Sequence, residues 1–158
     1  MKINLRYIIL IAAIAITCFS CKKSSEDAEM TLDKNLLKSA EKYAALVEQR
    51  TDGEGKFTIE NIHRNGDILT LNVKGGCTEE DFQVIWDGVI LLSYPGQIKL
   101  VLNNDNAGNC APDTPLSIEV NLRKILGKQD PKDFIFHVAN GSVKQNKSLN
   151  PDGTVSSN

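Results

Sequence analysis

The sequence predicts a mainly β fold: an antiparallel β-sandwich or partly open barrel of about seven strands, preceded by one N-terminal helix. Three observations support this prediction. Apolar and polar residues alternate in short runs through the middle of the chain, which is the period of a strand with one buried face. Turn signals such as Asn65-Gly66 and Pro95-Gly96 separate the runs. No helical pattern lies between the runs to form the crossovers of a parallel sheet.

The first twenty residues have the order of a secretory signal. Lys2 and Arg6 come first, and an apolar stretch follows at residues 7–16. Even residues 5–16 give only twelve predominantly apolar residues, too few to span a bilayer as a helix, because a helix needs about twenty. Ser20 and Cys21 then end the apolar region where a polar one begins, which resembles the processing site of bacterial lipoproteins.

This resemblance implies a signal peptide at residues 1–20 and acyl chains on Cys21, which anchor the protein to a membrane. The family prefers leucine three residues before the modified cysteine, where this chain has Cys18. Lipidation of Cys18 and an ordinary cleaved signal are therefore the alternatives. Residues 21–31 are predicted to be a polar tether. The implied location is the cell envelope, with the anchor in the outer membrane and the protein on its periplasmic or surface face.

An amphipathic helix is predicted at residues 32–50. Its apolar residues recur at spacings of three and four: Leu36, Leu37, Ala40, Tyr43, Ala44 and Val47. Thr31 or Asp33 is the predicted N-cap. The apolar stripe favours packing on the following domain over a stalk above the membrane.

The predicted β domain covers residues 55–140. Its first two strands, at residues 57–63 and 67–74, form a hairpin around Asn65-Gly66, because both residues tolerate a positive φ. Asp87-Gly88 and Pro95-Gly96 are the next predicted turns. The remaining strands are predicted at residues 82–87, 89–94, 98–102, 116–122 and 134–138. Residues 141–158 are polar and predict a disordered tail.

Cys77 and Cys110 remain after processing and are predicted to form a disulfide, because an exported protein reaches a compartment that permits one. Closing that loop stabilises a fold by about 3 to 4 kcal/mol on the chain-entropy account. Free buried thiols are the alternative. Without Lys2 and Arg6 the chain has 16 basic and 20 acidic residues. This charge balance does not indicate the basic surface that binds nucleic acid.

The acidic group Glu79, Glu80 and Asp81 follows Cys77 directly. Paired carboxylates can perform acid and base chemistry or contact a ligand, whereas the alternative is a solvated entry to a strand. Trp86 and Tyr94 are candidates for an aromatic platform that binds a sugar or a peptide. Trp86 shares its predicted face with Phe82, which favours a place in the core.

No metal, cofactor or catalytic constellation is predicted. His63 and His137 are the only histidines, and a metal site would need them on adjacent strands with carboxylates nearby. The loop that begins at Asn103 resembles a calcium loop in composition, but its twelfth position is Thr114 instead of the bidentate glutamate. No G-x-S-x-G motif is present to supply a serine nucleophile.

The motif Gly75-Gly76-Cys77, with Phe82 five residues on and Cys110 in an Asn/Asp-rich loop, resembles small uncharacterised lipoproteins of Gram-negative bacteria. The similarity covers residues 57–122. It implies a strand-rich domain after the anchor and no particular activity. That family has a histidine where this chain has Glu80, so no role of the histidine carries over.

The predicted function is therefore a lipid-anchored, non-enzymatic β domain that binds an envelope protein or a glycan, or that organises the envelope. One alternative is a hydrolase-like or metal-dependent enzyme that uses the acidic group after Cys77. Another alternative is a carbohydrate-binding module built on exposed aromatic residues.

Overall fold

The computed structural model describes residues 29–106 and 113–157. Residues 1–28, with the predicted signal, Cys21 and most of the tether, lie outside the described residues, as does Cys110. The strands are β1 (Met30–Asp33), β2 (Leu36–Lys38), β3 (Thr58–Asn65), β4 (Ile68–Lys74), β5 (Phe82–Leu91), β6 (Gly96–Asn104), β7 (Pro115–Asn121), β8 (Phe134–Asn140), β9 (Asn146–Leu149) and β10 (Val155–Ser157). Helices α1 (Ala40–Glu48) and α2 (Arg123–Leu126) and the 3-10 turns Glu79–Asp81 and Pro131–Asp133 connect them.

The mainly β prediction is confirmed, with ten described strands in two sheets instead of about seven strands. The larger sheet has the order β1-β2-β5-β6-β8-β9-β10 and is not closed into a barrel, and the smaller has the order β3-β4-β7. The larger sheet is mixed, because β2 runs parallel to β5 and β6 runs parallel to β8. The antiparallel prediction is wrong for these two pairs. The crossover from β2 to β5 runs through α1, β3 and β4, and the crossover from β6 to β8 runs through β7 and α2, so strands of the smaller sheet contribute to both.

One hydrophobic core lies between the two sheets. Ile62, Leu69 and Leu71 enter it from the smaller sheet, and larger-sheet residues such as Leu100 and Phe136 enter from the other side. All five are fully buried, and each such side chain contributes roughly 1.5 to 3 kcal/mol. The alternation seen in the sequence is thus the alternation between the core face and the outer face.

Helix α1 covers part of the outer face of the larger sheet. Tyr43 and Leu46 pack on a second apolar cluster that Leu37, Ile85, Val101 and Ala139 form there. Of the two arrangements that the sequence left open, packing on the domain is the one that α1 adopts. Among the described residues, no helix has the length and apolar character needed to cross a membrane.

The predicted start of that helix is wrong, because residues 30–38 form the β1–β2 hairpin and α1 begins only at Ala40. Leu36 points into the main core and Leu37 into the outer cluster, which is the pattern of a strand buried on both faces. Two adjacent apolar residues fit a helix or such a strand equally well. Ser39 provides the N-cap, with its Oγ accepting from Lys42 N at 3.2 Å.

The predicted disordered tail is also wrong. Strand β9 pairs with β8, β10 pairs with β9, and both Val143 and Leu149 are buried. A composition rule misses such a segment because a few buried side chains and one strand ladder are enough to order it. The folded unit therefore extends beyond the predicted domain limits of 55–140 at both ends.

The hairpin around Asn65-Gly66 and the turn at Pro95-Gly96 form where they were predicted. The predicted turn at Asp87-Gly88 is wrong. The two predicted strands on either side of it are one strand, β5, with an irregular register between Trp86 and Ile90. Gly88 has a φ of +86°, which suits a bulge as well as a turn, so the dipeptide alone does not distinguish the two.

Candidate functional site

A surface cleft of about 610 Å³ lies where the β1–β2 turn approaches strand β7. We call it the edge cleft, because it lies between an edge strand of the smaller sheet and the turn that joins the first two strands of the larger one. Its lining residues are Asp33, Lys34, Asn35, Ile68, Glu79, Glu80, Phe82, Ser117, Glu119 and Asn121.

Local sequence explains why polar groups converge on the edge cleft. In β7, Ile118 and Val120 are buried in the core, so the alternate residues Ser117, Glu119 and Asn121 project from the opposite face. Opposite them, Asn35 joins the two walls. Its Nδ2 donates to the main-chain oxygen of Glu119 at 2.8 Å, and its own main-chain oxygen accepts from Val84 N at 2.8 Å.

The edge cleft has an excess of negative charge. It contains the carboxylates of Asp33, Glu79, Glu80 and Glu119 and the single ammonium group of Lys34. Lys34 Nζ lies 2.9 Å from Glu80 Oε1, and this hydrogen bond raises the pKa of Lys34 and lowers the pKa of Glu80. The pair is mutually neutralised, so three carboxylates remain available to a cation.

The structure divides the predicted acidic group. Glu79 and Glu80 line the edge cleft, whereas Asp81 closes the 3-10 turn by accepting from Thr78 N at 2.9 Å. Asp81 also accepts from Asn106 Nδ2 at 3.1 Å, and this bond is the main cause that lowers its pKa. Carboxyl groups whose pKa is lowered stay ionised, which suits the binding of a cation better than the work of a general acid.

Trp86 lies in the core, as the packing interpretation predicted, and does not line the edge cleft. Only 8% of its surface is exposed. Its Nε1 donates to Val89 O at 3.1 Å, and Lys38 Nζ lies 5.7 Å from the ring centroid. The indole is therefore covered by its own protein and offers no platform for a ligand.

The two histidines lie in different sheets, His63 in β3 and His137 in β8. His137 Nδ1 lies 2.9 Å from Ser148 Oγ, and Nε2 lies 3.2 Å from Gln97 Oε1. Burial lowers the pKa of His137, and the charge of Lys99 adds to this effect. Within residues 29–106 and 113–157, no group of three or more His, Cys, Asp or Glu side chains is placed to hold a metal ion.

Cys77 is disulfide-bonded, and it is the one cysteine among the described residues. Because Cys110 lies outside them, its pairing with Cys77 stays a prediction, as does lipidation of Cys21. The glycines before Cys77 have a structural role. Gly75 and Gly76 have φ values of +89° and +111°, and the buried ring of Phe82 packs directly on Gly76.

Sequence reasoning found Glu79 and Glu80 but missed the opposite wall of the edge cleft. Asp33, Lys34 and Asn35 lie within the predicted helix, although Asp33 and Asn35 between Leu32 and Leu36 are also a turn signal. Glu119 lies within the predicted strand at residues 116–122, where no motif marks it as a site residue. The fold and the site together define a mainly β protein with a polar, acidic surface cleft. Comparisons with protein-family models, with curated proteins and with solved structures give no match.

Proposed function

We propose that this protein is a lipid-anchored binding module of the bacterial envelope, and that a cationic ligand such as a basic peptide segment occupies the edge cleft. The excess of carboxylates in that cleft is the observation that carries the choice of ligand. The signal-like N-terminus with Cys21 supports the anchor and an outer-membrane location. The shared core between two sheets supports a β-sandwich as the scaffold.

A basic peptide suits the edge cleft for two reasons. Ammonium and guanidinium groups can pair with Asp33, Glu79 and Glu119, and the neighbouring Ser117 and Asn121 provide hydrogen-bonding groups for a peptide backbone. Each exposed ion pair contributes only about 1 kcal/mol at 4 Å in water. Binding must therefore use several pairs at once, and it should weaken as salt is added.

Binding in the edge cleft can be tested with a fluorescently labelled peptide of alternating lysine and glycine, measured by anisotropy. We expect Glu79→Gln and Glu119→Gln to weaken binding about fivefold each, the equivalent of one lost pair of about 1 kcal/mol. Glu48→Gln is the matched control, because it removes the same charge from an exposed position on helix α1. Equal losses in all three variants would show a general charge effect and contradict the assignment of the cleft.

The anchor can be tested separately by mass spectrometry of the mature N-terminus and by detergent-phase partition. We expect acyl chains on Cys21, and we expect Cys21→Ser to move the protein to the aqueous phase because the anchor is lost. Cys18→Ser should leave partition unchanged. A Cys21→Ser protein that still enters the detergent phase would overturn the anchor.

A further inference from the structure

The turn that joins β5 to β6 exposes a group of apolar side chains. Val89, Leu91, Leu92 and Tyr94 have exposed fractions of 50%, 39%, 85% and 99%. Residues 89–98 contain no charged residue. We call residues 89–95 the apolar hairpin. A contiguous exposed apolar group of this kind is typical of a surface that meets a membrane or another protein.

The apolar hairpin is held in this exposed position. Ser93 Oγ donates to Pro95 O at 2.6 Å, and Gln97 Nε2 donates to Ser93 Oγ at 3.3 Å. At its base, Trp86 Nε1 donates to Val89 O. The turn is thus closed by its own hydrogen bonds, and Leu92 and Tyr94 project from it without packing on the domain.

The described chain enters the larger sheet level with the middle of β5. Met30 pairs with Lys38, and Lys38 pairs with Trp86, after which β5 continues to the apolar hairpin. The edge cleft lies at the other end of β5, because Asn35 bonds to Val84 and the 3-10 turn Glu79–Asp81 precedes β5. Strand β1 runs from Met30 toward the edge cleft, so Met30 is the end of β1 nearer the apolar hairpin.

We infer that the apolar hairpin inserts into the surface of the bilayer that holds the lipid anchor, an inference that rests on the proposed anchor at Cys21. Nine residue steps from Cys21 to Met30 span at most about 30 Å, which keeps Met30 within that distance of the bilayer surface. Trp86 pairs with Leu100 in β6, and from Leu100 to Gly96, where the turn adjoins β6, the distance is about 13 Å at about 3.3 Å per residue. Leucine inserts among acyl chains, and tyrosine favours the interface.

This orientation has a consequence for the binding site. With the apolar hairpin in the bilayer, the strands of the larger sheet stand away from the membrane and the edge cleft faces the aqueous side. A protein partner is disfavoured as the occupant of the hairpin because the exposed group is an uncharged tip. It offers no groove and no charge with which a protein surface could form specific pairs.

The test uses the full lipidated protein in vesicles of phosphatidylethanolamine and phosphatidylglycerol, with and without brominated acyl chains that quench tryptophan. The wild type has Trp86 as its single tryptophan and supplies the baseline. Tyr94→Trp places a probe at the tip. Gln145→Trp is the control, because the exposed Gln145 lies between β8 and β9 at the opposite end of the larger sheet.

We expect the emission of Tyr94→Trp to shift to shorter wavelength in vesicles and to be strongly quenched by brominated chains, at any salt concentration. Quenching of Gln145→Trp should not exceed the wild-type value. Adding Leu92→Asp to Tyr94→Trp should reduce the quenching. If the protein floats with the vesicles but Tyr94→Trp is unquenched, or is quenched no more than Gln145→Trp, the insertion is overturned while the anchor stands. If the protein does not float with the vesicles, the anchor fails and the insertion with it.

Discussion

The backbone at Gly76 illustrates how single residues shape this protein. Its φ of +111° is one that L side chains rarely adopt, and a Cβ atom there would lie 2.6 Å from Cε2 of Phe82. The Phe82 ring cannot move away from such a Cβ atom, because the ring is buried. It packs edge-on against the Phe57 ring, with 5.2 Å between the ring centroids. The position therefore requires glycine.

We expect Gly76→Ala to lower the free energy of unfolding by about 2 to 5 kcal/mol, from backbone strain and overpacking together. Chemical denaturation monitored by circular dichroism would measure this loss. Gly53→Ala is the matched control, because a Cβ atom at Gly53 would meet nothing within 4 Å. Similar stabilities for the two variants would contradict the structural role of Gly76.

Sequence analysis could single out the Gly75-Gly76-Cys77 motif but not its physical meaning. Two adjacent glycines indicate unusual backbone, whereas the contact of Gly76 with Phe82 depends on the fold. Trp86 was easier to interpret, because strict alternation places it on the same face as Phe82. Side chains within one strand can thus be assigned from the sequence, but contacts between segments cannot.

Strand length decided which elements could be predicted. Strand β4 has seven residues with Leu69, Leu71 and Val73 in the core, so its period of two is clear. Strands β1 and β2 have four and three residues, which is too short to show any period. The C-terminal strands β9 and β10 are equally short, and their polar composition conceals the buried Leu149.

Strand β9 provides a direct test of order in the C-terminal segment. Leu149 is 1% exposed and belongs to the main core, so we expect Leu149→Ala to cost about 2 to 5 kcal/mol in the free energy of unfolding. Val155→Ala in the exposed strand β10 should cost less than about 1 kcal/mol. Urea denaturation measures both. If Leu149→Ala cost no more than Val155→Ala, the segment would behave as the disordered tail that its composition predicts.

Contacts between distant segments define the whole molecule. They explain why the sequence indicated only one wall of the edge cleft. Asn35 and Glu119 lie 84 residues apart in the chain, yet one hydrogen bond joins them. Their meeting depends on the crossovers that connect the two sheets. No local pattern contains that information, so Glu79 and Glu80 were found as an acidic group without the wall that faces them.

The stability of the whole molecule should depend on pH through His137, whose ring contacts both β6 and β9. Burial lowers its pKa in the folded state, so the unfolded chain takes up a proton first as the pH falls. The contribution of His137 to stability is full above about pH 6.5, the unfolded value, and is lost as the pH falls below it.

We therefore expect the urea midpoint to decrease as the pH falls below about 6.5, and His137→Gln to flatten this dependence. His63→Gln is the control for the loss of one histidine side chain. If the urea midpoint of His137→Gln still changed with pH as in the wild type, the pH dependence would arise from other groups.

Both edges of the larger sheet are short. Strand β1 has four residues with an irregular register, and β10 has three. Unpaired edges are templates on which another chain can add a strand, and short or irregular edges offer few consecutive hydrogen bonds for this addition. The proposed lipid anchor would confine the protein to two dimensions, where neighbours collide often. With that anchor, such edges would allow the protein to be present at high density on a membrane without forming a continuous sheet with its neighbours.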